Sequence, residues 1–219
     1  MNLNKKIKNN INIGNFKISQ NSKCFIVAEL SGNHSGKITN VFKAIDLIKR
    51  SGADAIKIQS YEPDTITLKS KNKYFYINDD SIWKGKYLYE LYKSAHTPFS
   101  WHEKIFNYAR KKKLLCFSSP FDKTAVDFLE SISVPVYKIA SFELMDIPLI
   151  TKVAKLGKPM IMSTGMGTLA DIDEAVTAVR RSGNNQLILL QCASAYPSPP
   201  EALNIKTIPH LSNAFGVPA

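Results

Sequence analysis

Short apolar runs alternate with segments of helical periodicity along most of the chain, and this alternation constrains the fold more than any other feature. A short run of β-branched and other apolar residues is typical of a strand buried on both faces. Such runs lie at Cys24 to Leu30, Ala55 to Gln59, Leu114 to Ser118, Val136 to Ala140, Met160 to Ser163, Leu187 to Cys192 and, more weakly, Ala214 to Val217. Before them, Ile11 to Ile18 predicts a short hairpin that turns at Gly14 and Asn15.

The segments between these runs carry apolar residues three and four positions apart, which is the period of an amphipathic helix. One such segment ends before Gly52, a second before Gly157 and a third at Gly183. Glycine is the residue best suited to the left-handed position that follows a helix end. Strands and helices that repeat in this order predict a parallel sheet covered by helices.

Two architectures fit this prediction, an open doubly wound sheet and a (β/α)8 TIM barrel. A closed barrel of eight strands typically needs about 250 residues, whereas this chain has 219. Its seventh strand signal, at Ala214 to Val217, is followed by no further helical segment. If the fold is a barrel, we therefore expect it to be incomplete at the carboxyl end.

The stretch from Tyr61 to Trp101 interrupts the alternation because it is long, polar and rich in aromatic residues. Long loops in compact domains are usually functional lids or disordered segments. The density of aromatic residues favours an ordered lid, with a helix near Tyr87 to Ser94. Since it follows the second strand of the repeating pattern, this lid would lie at the carboxyl face of the sheet.

The net charge of +11 would suit a nucleic acid, an anionic membrane surface or an anionic small substrate. Much of the excess lies near predicted helix ends, where cations are favoured, and in the amino-terminal Lys5, Lys6 and Lys8. No nucleic-acid motif accompanies it, so we expect no nucleic-acid partner. No apolar run is long enough to span a membrane, and Met1 to Asn10 lacks a secretion signal. We therefore expect a cytoplasmic protein without a membrane partner.

Several classes of chemistry are disfavoured by the motifs. The chain contains no zinc-type cluster, nucleophile elbow, dinucleotide fingerprint or phosphate-binding loop. Its cysteines, Cys24, Cys116 and Cys192, lie within apolar runs and lack metal-ligand spacing, which predicts reduced core residues. Covalent nucleophilic catalysis and nicotinamide chemistry are thus not indicated.

Polar and charged residues collect at the carboxyl ends of the predicted strands, where α/β folds place their active sites. Lys57 and Lys138 lie within apolar strand sequences, where a lysine is rarely buried without a partner. That partner would be an anionic ligand or a strand carboxylate such as Glu29 or Glu143. Hydroxyl donors that would help to bind an anion are Ser119, Ser141, Ser163 and Thr164.

Seven ordered motifs accompany these strand ends. They occupy Ala28 to His34, Gly52 to Gln59, Pro63 to Leu68, Ser118 to Asp122, Tyr137 to Glu143, Lys158 to Met166 and Ala195 to Pro197. In this order and spacing they resemble the sialic acid synthase family over nearly all of the chain from Cys24 onward. The Ser-Gly-Asn-His and Pro-Asp-Thr-Ile-Thr-Leu stretches are most similar to the pseudaminic acid branch of that family.

The resemblance implies a TIM barrel of the phosphoenolpyruvate-dependent synthase type at residues 24–219, preceded by a leader and hairpin at residues 1–23. It implies condensation of phosphoenolpyruvate with an open-chain amino sugar, whose aldehyde a divalent metal, Mn²⁺ or Mg²⁺, would polarise as a Lewis acid. In the pseudaminic branch the acceptor is a 2,4-diacetamido-2,4,6-trideoxy hexose. Synthesis of N-acetylneuraminate or legionaminate is an alternative, and so is an inactive fragment or interaction module of the family.

The resemblance also assigns roles to single residues. Glu29 and Glu143 match catalytic carboxylates, and Gln191 stands where the sialic acid branch has a metal-binding histidine. An amide oxygen donates less charge to a cation than a carboxylate does. The positions that match phosphoenolpyruvate-binding residues are Lys57, Ser119, Lys138, Ser141 and Ser163.

The family continues beyond the position of Ala219 with an Asp-His-Thr strand, an eighth strand and an antifreeze-like domain that closes the partner subunit's site. We therefore expect this chain to lack the antifreeze-like domain. For the full-length form, the resemblance implies a homodimer.

Overall fold

The computed structural model describes residues 10–19, 21–79, 81–194 and 198–219. Two features noted in the sequence lie outside the described residues. One is the basic leader with Lys5, Lys6 and Lys8, and the other is the Ala195 to Pro197 motif.

The chain divides into two compact units. The central unit is Ile26–Ile132, and the split unit comprises Met1–Phe25 together with Ser133–Ala219. The predicted division into a leader at residues 1–23 and a synthase domain at residues 24–219 stays a prediction.

The split unit begins with the predicted hairpin, which is confirmed. Its two strands, β1 (Ile11–Ile13) and β2 (Phe16–Ile18), pair antiparallel. Gly14 lies between them with a φ of +57°, a left-handed conformation that glycine adopts without steric penalty. Ile11 and Ile13 lie on the same side of β1 and are buried, so that the hairpin presents an apolar face to the protein.

Parallel strands alternate with helices in the central unit. Its strands are β3 (Val27–Glu29), β4 (Ala55–Ser60) and β5 (Leu115–Pro120), with β4 in the middle. Its helices are α1 (Ile38–Arg50), α2 (Pro63–Ile66), α3 (Leu88–Ala95), α4 (Phe99–Lys111) and α5 (Lys123–Ser131), with a 3₁₀ turn at Lys73–Phe75.

Helix α1 shows how the periodic pattern defines a helix and its end. Val41 and Ile45 lie one turn apart and are fully buried, because residues four positions apart share a face. Lys49 and Arg50 occupy the last turn, where the helix dipole favours cations. Gly52 follows with a φ of +84°, as predicted for a glycine past a helix end.

The lid contains the predicted helix. The helix expected near Tyr87 to Ser94 is confirmed as α3. The ring of Tyr61, at the start of the lid, lies at a steep angle to the rings of Tyr92 and Phe121, with centroids 5.8 and 5.4 Å apart. Edge-to-face contacts of this kind stabilise aromatic pairs, so the start of the lid packs on α3 and on the residue after β5.

The split unit repeats the alternation of parallel strands and helices. Its parallel strands are β6 (Tyr137–Ile139), β7 (Met160–Ser163) and β8 (Leu187–Leu190), with β7 in the middle. Its helices are α6 (Ile147–Lys155), α7 (Leu169–Arg181) and α8 (Thr207–Phe215), with 3₁₀ turns at Ser141–Met145 and Pro200–Leu203. None of the described helices in either unit combines the length and apolar character needed to cross a membrane.

The strand predicted at Ala214 to Val217 is wrong. Ala214 and Phe215 instead close α8, where Leu211 and Phe215 lie one turn apart and are buried. Gly216 then ends the helix with a φ of +63°. The four-residue run was too short to separate a strand from the last turn of a helix, and the apolar residues that complete the helical period precede it.

The prediction that the three cysteines are core residues is confirmed for Cys116, wrong for Cys24 and only partly met by Cys192. All three cysteines are free, as predicted. Cys116 is buried within β5, whereas Cys192 is partly exposed. Cys24 is exposed, because its apolar run pairs in the sheet only from Val27 onward.

Candidate active site

Both units hold residues that the sequence predicts for the active site, and each unit brings its own set toward the carboxyl ends of its strands. The central unit holds Glu29, Lys57 and Ser119. The split unit holds Lys138, Ser141, Glu143, Ser163 and Gln191.

In the central unit, Lys57 forms an ion pair with Glu29. The two residues are register partners in the parallel pair β3 and β4, so their side chains leave the sheet on the same face. Glu29 Oε1 also accepts a hydrogen bond of 3.0 Å from the backbone N–H of Ser31. Of the two partners that the sequence left open for Lys57, the structure shows the strand carboxylate. An anionic ligand at Lys57 would have to share it with Glu29.

Ser119 lies on the same face of the central sheet as Lys57. Residues alternate between faces along a strand, which places Lys57 and Gln59 together, and Gln59 is the register partner of Ser119. Ser119 Oγ is buried and has no hydrogen-bond partner within the described residues. A buried hydroxyl without a partner costs about 1 to 3 kcal/mol. A ligand oxygen would remove this cost, which fits the predicted role in anion binding.

The opposite face of the same sheet carries a second polar group, which the sequence analysis missed. Ser60, Ser118 and His102 are fully buried there and hydrogen-bonded to one another. One feature of the sequence could have indicated this polar group. His102 occupies the buried face of α4 with Ile105 and Ala109, and a histidine at such a position needs polar partners.

In the split unit, Glu143 is a partly buried residue whose carboxyl group has an unusual protonation range. Burial raises its pKa to about 7, against the opposing effect of the positive charge of Lys138, while the charge of Asp146 adds to the increase. Glu143 Oε2 has no hydrogen-bond partner within the described residues. A carboxyl that titrates near neutral pH can both accept and donate a proton. Lys138 is itself only 8% exposed.

The loops that follow the three strands of the split unit converge at Gly165. A Cβ atom at this position would lie 2.7 Å from Ser141 Oγ, 2.7 Å from Ser194 Oγ and 3.2 Å from Cys192 Cβ. Only glycine, which has no Cβ atom, leaves room for both hydroxyls at these positions. Ser141, predicted to bind phosphoenolpyruvate, is thus brought near Ser194, a strand-end serine that has no predicted role. Ser163, at the end of β7, is buried.

Gln191 is the residue predicted to bind a metal ion. It follows β8, is partly exposed and donates a long hydrogen bond of 3.5 Å from Nε2 to the Cys192 carbonyl. The described parts of the chain contain no group of three or more His, Cys, Asp or Glu side chains that could hold a metal ion. Mn²⁺ or Mg²⁺ takes about six ligands, of which water supplies some and protein side chains the rest, so one amide oxygen does not make a site. The metal stays a prediction.

The loop after β3 is fastened to the end of α3 by His34. Its Nδ1 accepts a hydrogen bond of 3.1 Å from the Gly36 N–H, so Nε2 carries the proton and donates to the Ala95 carbonyl at 3.2 Å. Burial lowers the pKa of His34, which favours the neutral ring. A Cβ atom at Gly32 would lie 2.9 Å from Ala95 Cβ. The loop therefore packs closely on the helix of the lid.

Known proteins resemble this chain in sequence and in structure. The sequence profile described as the NeuB family matches residues 44–219. Pseudaminic acid synthase of Campylobacter jejuni is 44% identical over 205 residues, which are 94% of this chain and 59% of that protein. Pseudaminic acid synthase of Helicobacter pylori is 45% identical over 192 residues, which are 88% of this chain and 56% of that protein.

Among solved structures, the N-acetylneuraminic acid (sialic acid) synthetase of Leptospira borgpetersenii, in complex with citrate, superposes with a TM-score of 0.83 at 29% identity. The superposition covers 95% of this chain and 68% of that chain. The α/β barrel class predicted from the sequence is thereby confirmed. The chain spans little more than half the length of the two curated relatives, 59% and 56%.

Proposed function

The chain belongs to the NeuB family, and we propose that it serves in the synthesis of pseudaminic acid. The reaction is the condensation of phosphoenolpyruvate with a 2,4-diacetamido-2,4,6-trideoxy hexose, which releases phosphate. The observation that carries this proposal is the 44% identity to a pseudaminic acid synthase across 94% of the chain. Because the chain spans 59% of that relative, the activity of the whole protein is part of the proposal.

The chemistry sets clear requirements for the site. Carbon 3 of phosphoenolpyruvate attacks the aldehyde carbon of the open-chain sugar, and the aldehyde oxygen takes up a proton. Water adds at carbon 2 and loses a proton, and the bond between carbon 2 and the phosphate oxygen breaks. The site must therefore hold a phosphate and a carboxylate, and it needs groups that accept and donate protons.

The lysines and hydroxyls support the binding of these anions. Two opposite unit charges about 4 Å apart attract each other by roughly 4 kcal/mol at an effective dielectric constant near 20. Lys57 is 15% exposed and Lys138 is 8% exposed, so water screens neither charge fully. The proposed hydroxyl donors are Ser119 in the central unit and Ser141 and Ser163 in the split unit.

The two carboxylates have different environments, and we assign them different tasks. Glu143, whose pKa burial raises to about 7, would take the proton from the attacking water, because a base with a pKa near the working pH is most effective. Glu29 is held by Lys57 and would orient that lysine toward the ligand. Both assignments are part of the proposal.

Three further expectations belong to the same proposal: a requirement for Mn²⁺ or Mg²⁺, a homodimer of the full-length form and a cytoplasmic location. The described residues do not form a metal site, so no step above depends on the ion. Loss of activity with EDTA and its recovery with added Mn²⁺ would test the metal. Sedimentation of the full-length protein and fractionation of cells would test the other two.

A phosphate-release assay tests the proposed reaction. The chain is incubated with phosphoenolpyruvate and Mn²⁺, both alone and fused to the carboxyl-terminal part of the C. jejuni relative. The acceptors are the 2,4-diacetamido-2,4,6-trideoxy hexose and N-acetylmannosamine. We expect phosphate release with the first. Release with N-acetylmannosamine alone would reassign the substrate, and release with neither by the fusion protein would overturn the proposal. The fusion with Lys57→Gln serves as the inactive control.

A further inference from the structure

A buried chain of hydrogen bonds crosses from helix α4 to the carboxyl ends of β4 and β5. His102 Nε2 lies 2.7 Å from Ser60 Oγ, and Ser60 Oγ lies 2.6 Å from Ser118 Oγ. The other ring nitrogen of His102, Nδ1, lies 3.1 Å from the Pro98 carbonyl. His102, Ser60 and Ser118 have no exposed surface, and we call them the buried polar chain.

The hydrogen-bond partners of His102 and Ser60 determine which atom of each pair donates. A carbonyl oxygen only accepts, so His102 Nδ1 carries the hydrogen that points to Pro98. In the neutral ring, Nε2 is then an acceptor, and the Ser60 hydroxyl must donate to it. The Ser118 hydroxyl has a single hydrogen and two acceptors within reach, Ser60 Oγ at 2.6 Å and the Ile58 carbonyl at 3.1 Å, between which it is shared. Each buried donor has an acceptor, and loss of the His102 acceptor forces both serine hydroxyls to turn, Ser60 toward Ser118 and Ser118 toward the Ile58 carbonyl.

The histidine ring has little freedom to move. Phe99 and Phe128 contact it edge to face, with centroids 5.5 and 5.2 Å from the ring centroid. Burial lowers the pKa of His102 to about 4, so the ring is neutral under ordinary conditions. The buried polar chain therefore has a rigid end on α4 and two ends on the strands.

The strand positions link this chain to the predicted site. Ser118 directly precedes Ser119, and Ser60 directly follows Gln59. Because successive side chains point to opposite faces, the serines that face α4 alternate with residues that face the other side. That other side carries Gln59 and Ser119, which are register partners. A shift of either strand end would change the spacing between them.

We propose that His102 is a positioning residue, which fixes the carboxyl ends of β4 and β5 through Ser60 and Ser118. The side chains on the other face of these strands, Ser119 among them, are thereby held where a ligand can use them. The identification of this ligand as phosphoenolpyruvate rests on the proposed function. A displacement of about 1 Å in such a site can cost a factor of roughly 100 in rate.

Three variants test the proposal. In His102→Gln, the amide oxygen can replace Nε2 as the acceptor. In His102→Phe, the ring remains but the acceptor is lost. The triple variant His102→Phe, Ser60→Ala, Ser118→Ala removes the whole polar chain and leaves no unsatisfied donor. As a matched control, Tyr108→Phe removes a hydrogen bond of 2.9 Å to Asp46 from the same helix, without a link to β5.

Three measurements are made on each variant: the thermal midpoint, the affinity for phosphoenolpyruvate by calorimetry, and hydrogen exchange of the peptides that contain β4 and β5. We expect His102→Gln to bind within about threefold of the parent chain, since it keeps an acceptor. The triple variant should keep its thermal midpoint but bind roughly tenfold more weakly, as expected when an anion loses one well-placed hydrogen bond. Its exchange at the amides of Ser118 and Ser119 should become faster.

Two results would overturn the positioning role. One is a triple variant that binds phosphoenolpyruvate as tightly as the parent chain. The other is His102→Phe with a lower thermal midpoint but unchanged exchange at both strand ends, which would indicate a purely structural residue. If the parent chain binds no phosphoenolpyruvate, the proposed function fails, and hydrogen exchange still decides whether His102 fixes the strand ends.

Discussion

Glu143 keeps its proton to a higher pH than an ordinary carboxyl, and this makes the free energy of unfolding depend on pH. In the unfolded chain a glutamate titrates near pH 4.3, whereas burial raises the pKa of Glu143 to about 7 in the folded protein. Between these values the folded state binds the additional proton. The free energy of unfolding therefore falls as the pH rises through this window.

Glu143→Gln removes this ionisation. We expect the variant to have a free energy of unfolding about 3 to 4 kcal/mol above that of the parent chain at pH 8, with little difference at pH 4.5, since each pKa unit corresponds to ~1.4 kcal/mol. Urea unfolding at the two pH values measures the effect. Glu174→Gln, at an exposed position on α7, is the control and should change neither value. An equal gain from Glu143→Gln at both pH values would contradict the argument.

The ion pair between Lys57 and Glu29 gives a second prediction at the scale of single residues. Glu29 holds Lys57, yet its negative charge also repels an anionic ligand. We expect Glu29→Gln to bind phosphoenolpyruvate several-fold more tightly. Lys57→Gln should weaken binding by roughly tenfold to a hundredfold, because it removes a charge-assisted contact. Calorimetry measures both affinities. Weaker binding by Glu29→Gln would mean that its proposed orienting of Lys57 outweighs the repulsion of the ligand, and the expected gain in affinity would be wrong.

The sequence did not determine which residues of the site pair with one another. It indicated that Lys57 needs a partner but could not choose between a ligand and Glu29, because that choice depends on the register of β3 against β4. The contact between Ser60 and His102 joins residues 42 positions apart. No local pattern encodes such a contact, since it arises only when α4 packs on the sheet.

At the scale of structural elements, the close approach of three loops at Gly165 can be tested by adding one methyl group. In Gly165→Ala the new Cβ would lie 2.7 Å from both Ser141 Oγ and Ser194 Oγ, which is closer than such atoms can approach. We expect a loss of about 1 to 3 kcal/mol in the free energy of unfolding, typical of overpacking, together with weaker binding of phosphoenolpyruvate. Urea unfolding and calorimetry measure the two effects.

A second variant separates crowding from other effects of the alanine. Ser141→Gly in the Gly165→Ala background removes one of the two crowded hydroxyls, so part of the lost stability should return. The affinity for phosphoenolpyruvate should stay low, because the proposed ligand contact of Ser141 is also gone. Full recovery of binding in the double variant would exclude Ser141 from the site.

Strands and helices were predictable where periodicity and terminal glycine agreed. The six apolar runs from Cys24 to Cys192 each contain a parallel strand, and α1, α6 and α7 end just before glycines with positive φ. The prediction failed at α8, where Gly216 has the same conformation but follows an apolar run of two residues. There the helical period was visible only over the whole of Thr207–Phe215.

At the scale of the whole molecule, one group of positive charges lies far along the sheet from Ser119 of the predicted site. The chain has 29 lysines and arginines against 18 acidic residues. A basic cluster at residues 110–113 closes α4 and lies just before β5. Ser119 lies at the far end of that strand. With a rise of about 3.3 Å per residue, positions 115 and 119 are already some 13 Å apart, and the basic cluster lies farther still.

This separation predicts that the basic cluster contributes little to ligand affinity. The Debye length is about 8 Å at physiological ionic strength, so the charges of the exposed Lys111 and Lys113 are screened before they reach Ser119. We expect Lys111→Gln, Lys113→Gln to bind phosphoenolpyruvate within about twofold of the parent chain at 150 mM salt, since screening removes the long-range attraction. Lys57→Gln, with its side chain 15% exposed in the parent chain, should lose far more affinity for phosphoenolpyruvate.

Calorimetry at 20, 150 and 500 mM salt, values chosen to span Debye lengths from about 20 to 4 Å, measures the affinity of both variants. A large loss in the double variant at 150 mM salt would mean that the basic cluster itself binds the ligand, and the predicted site at the carboxyl ends of the strands would then be wrong.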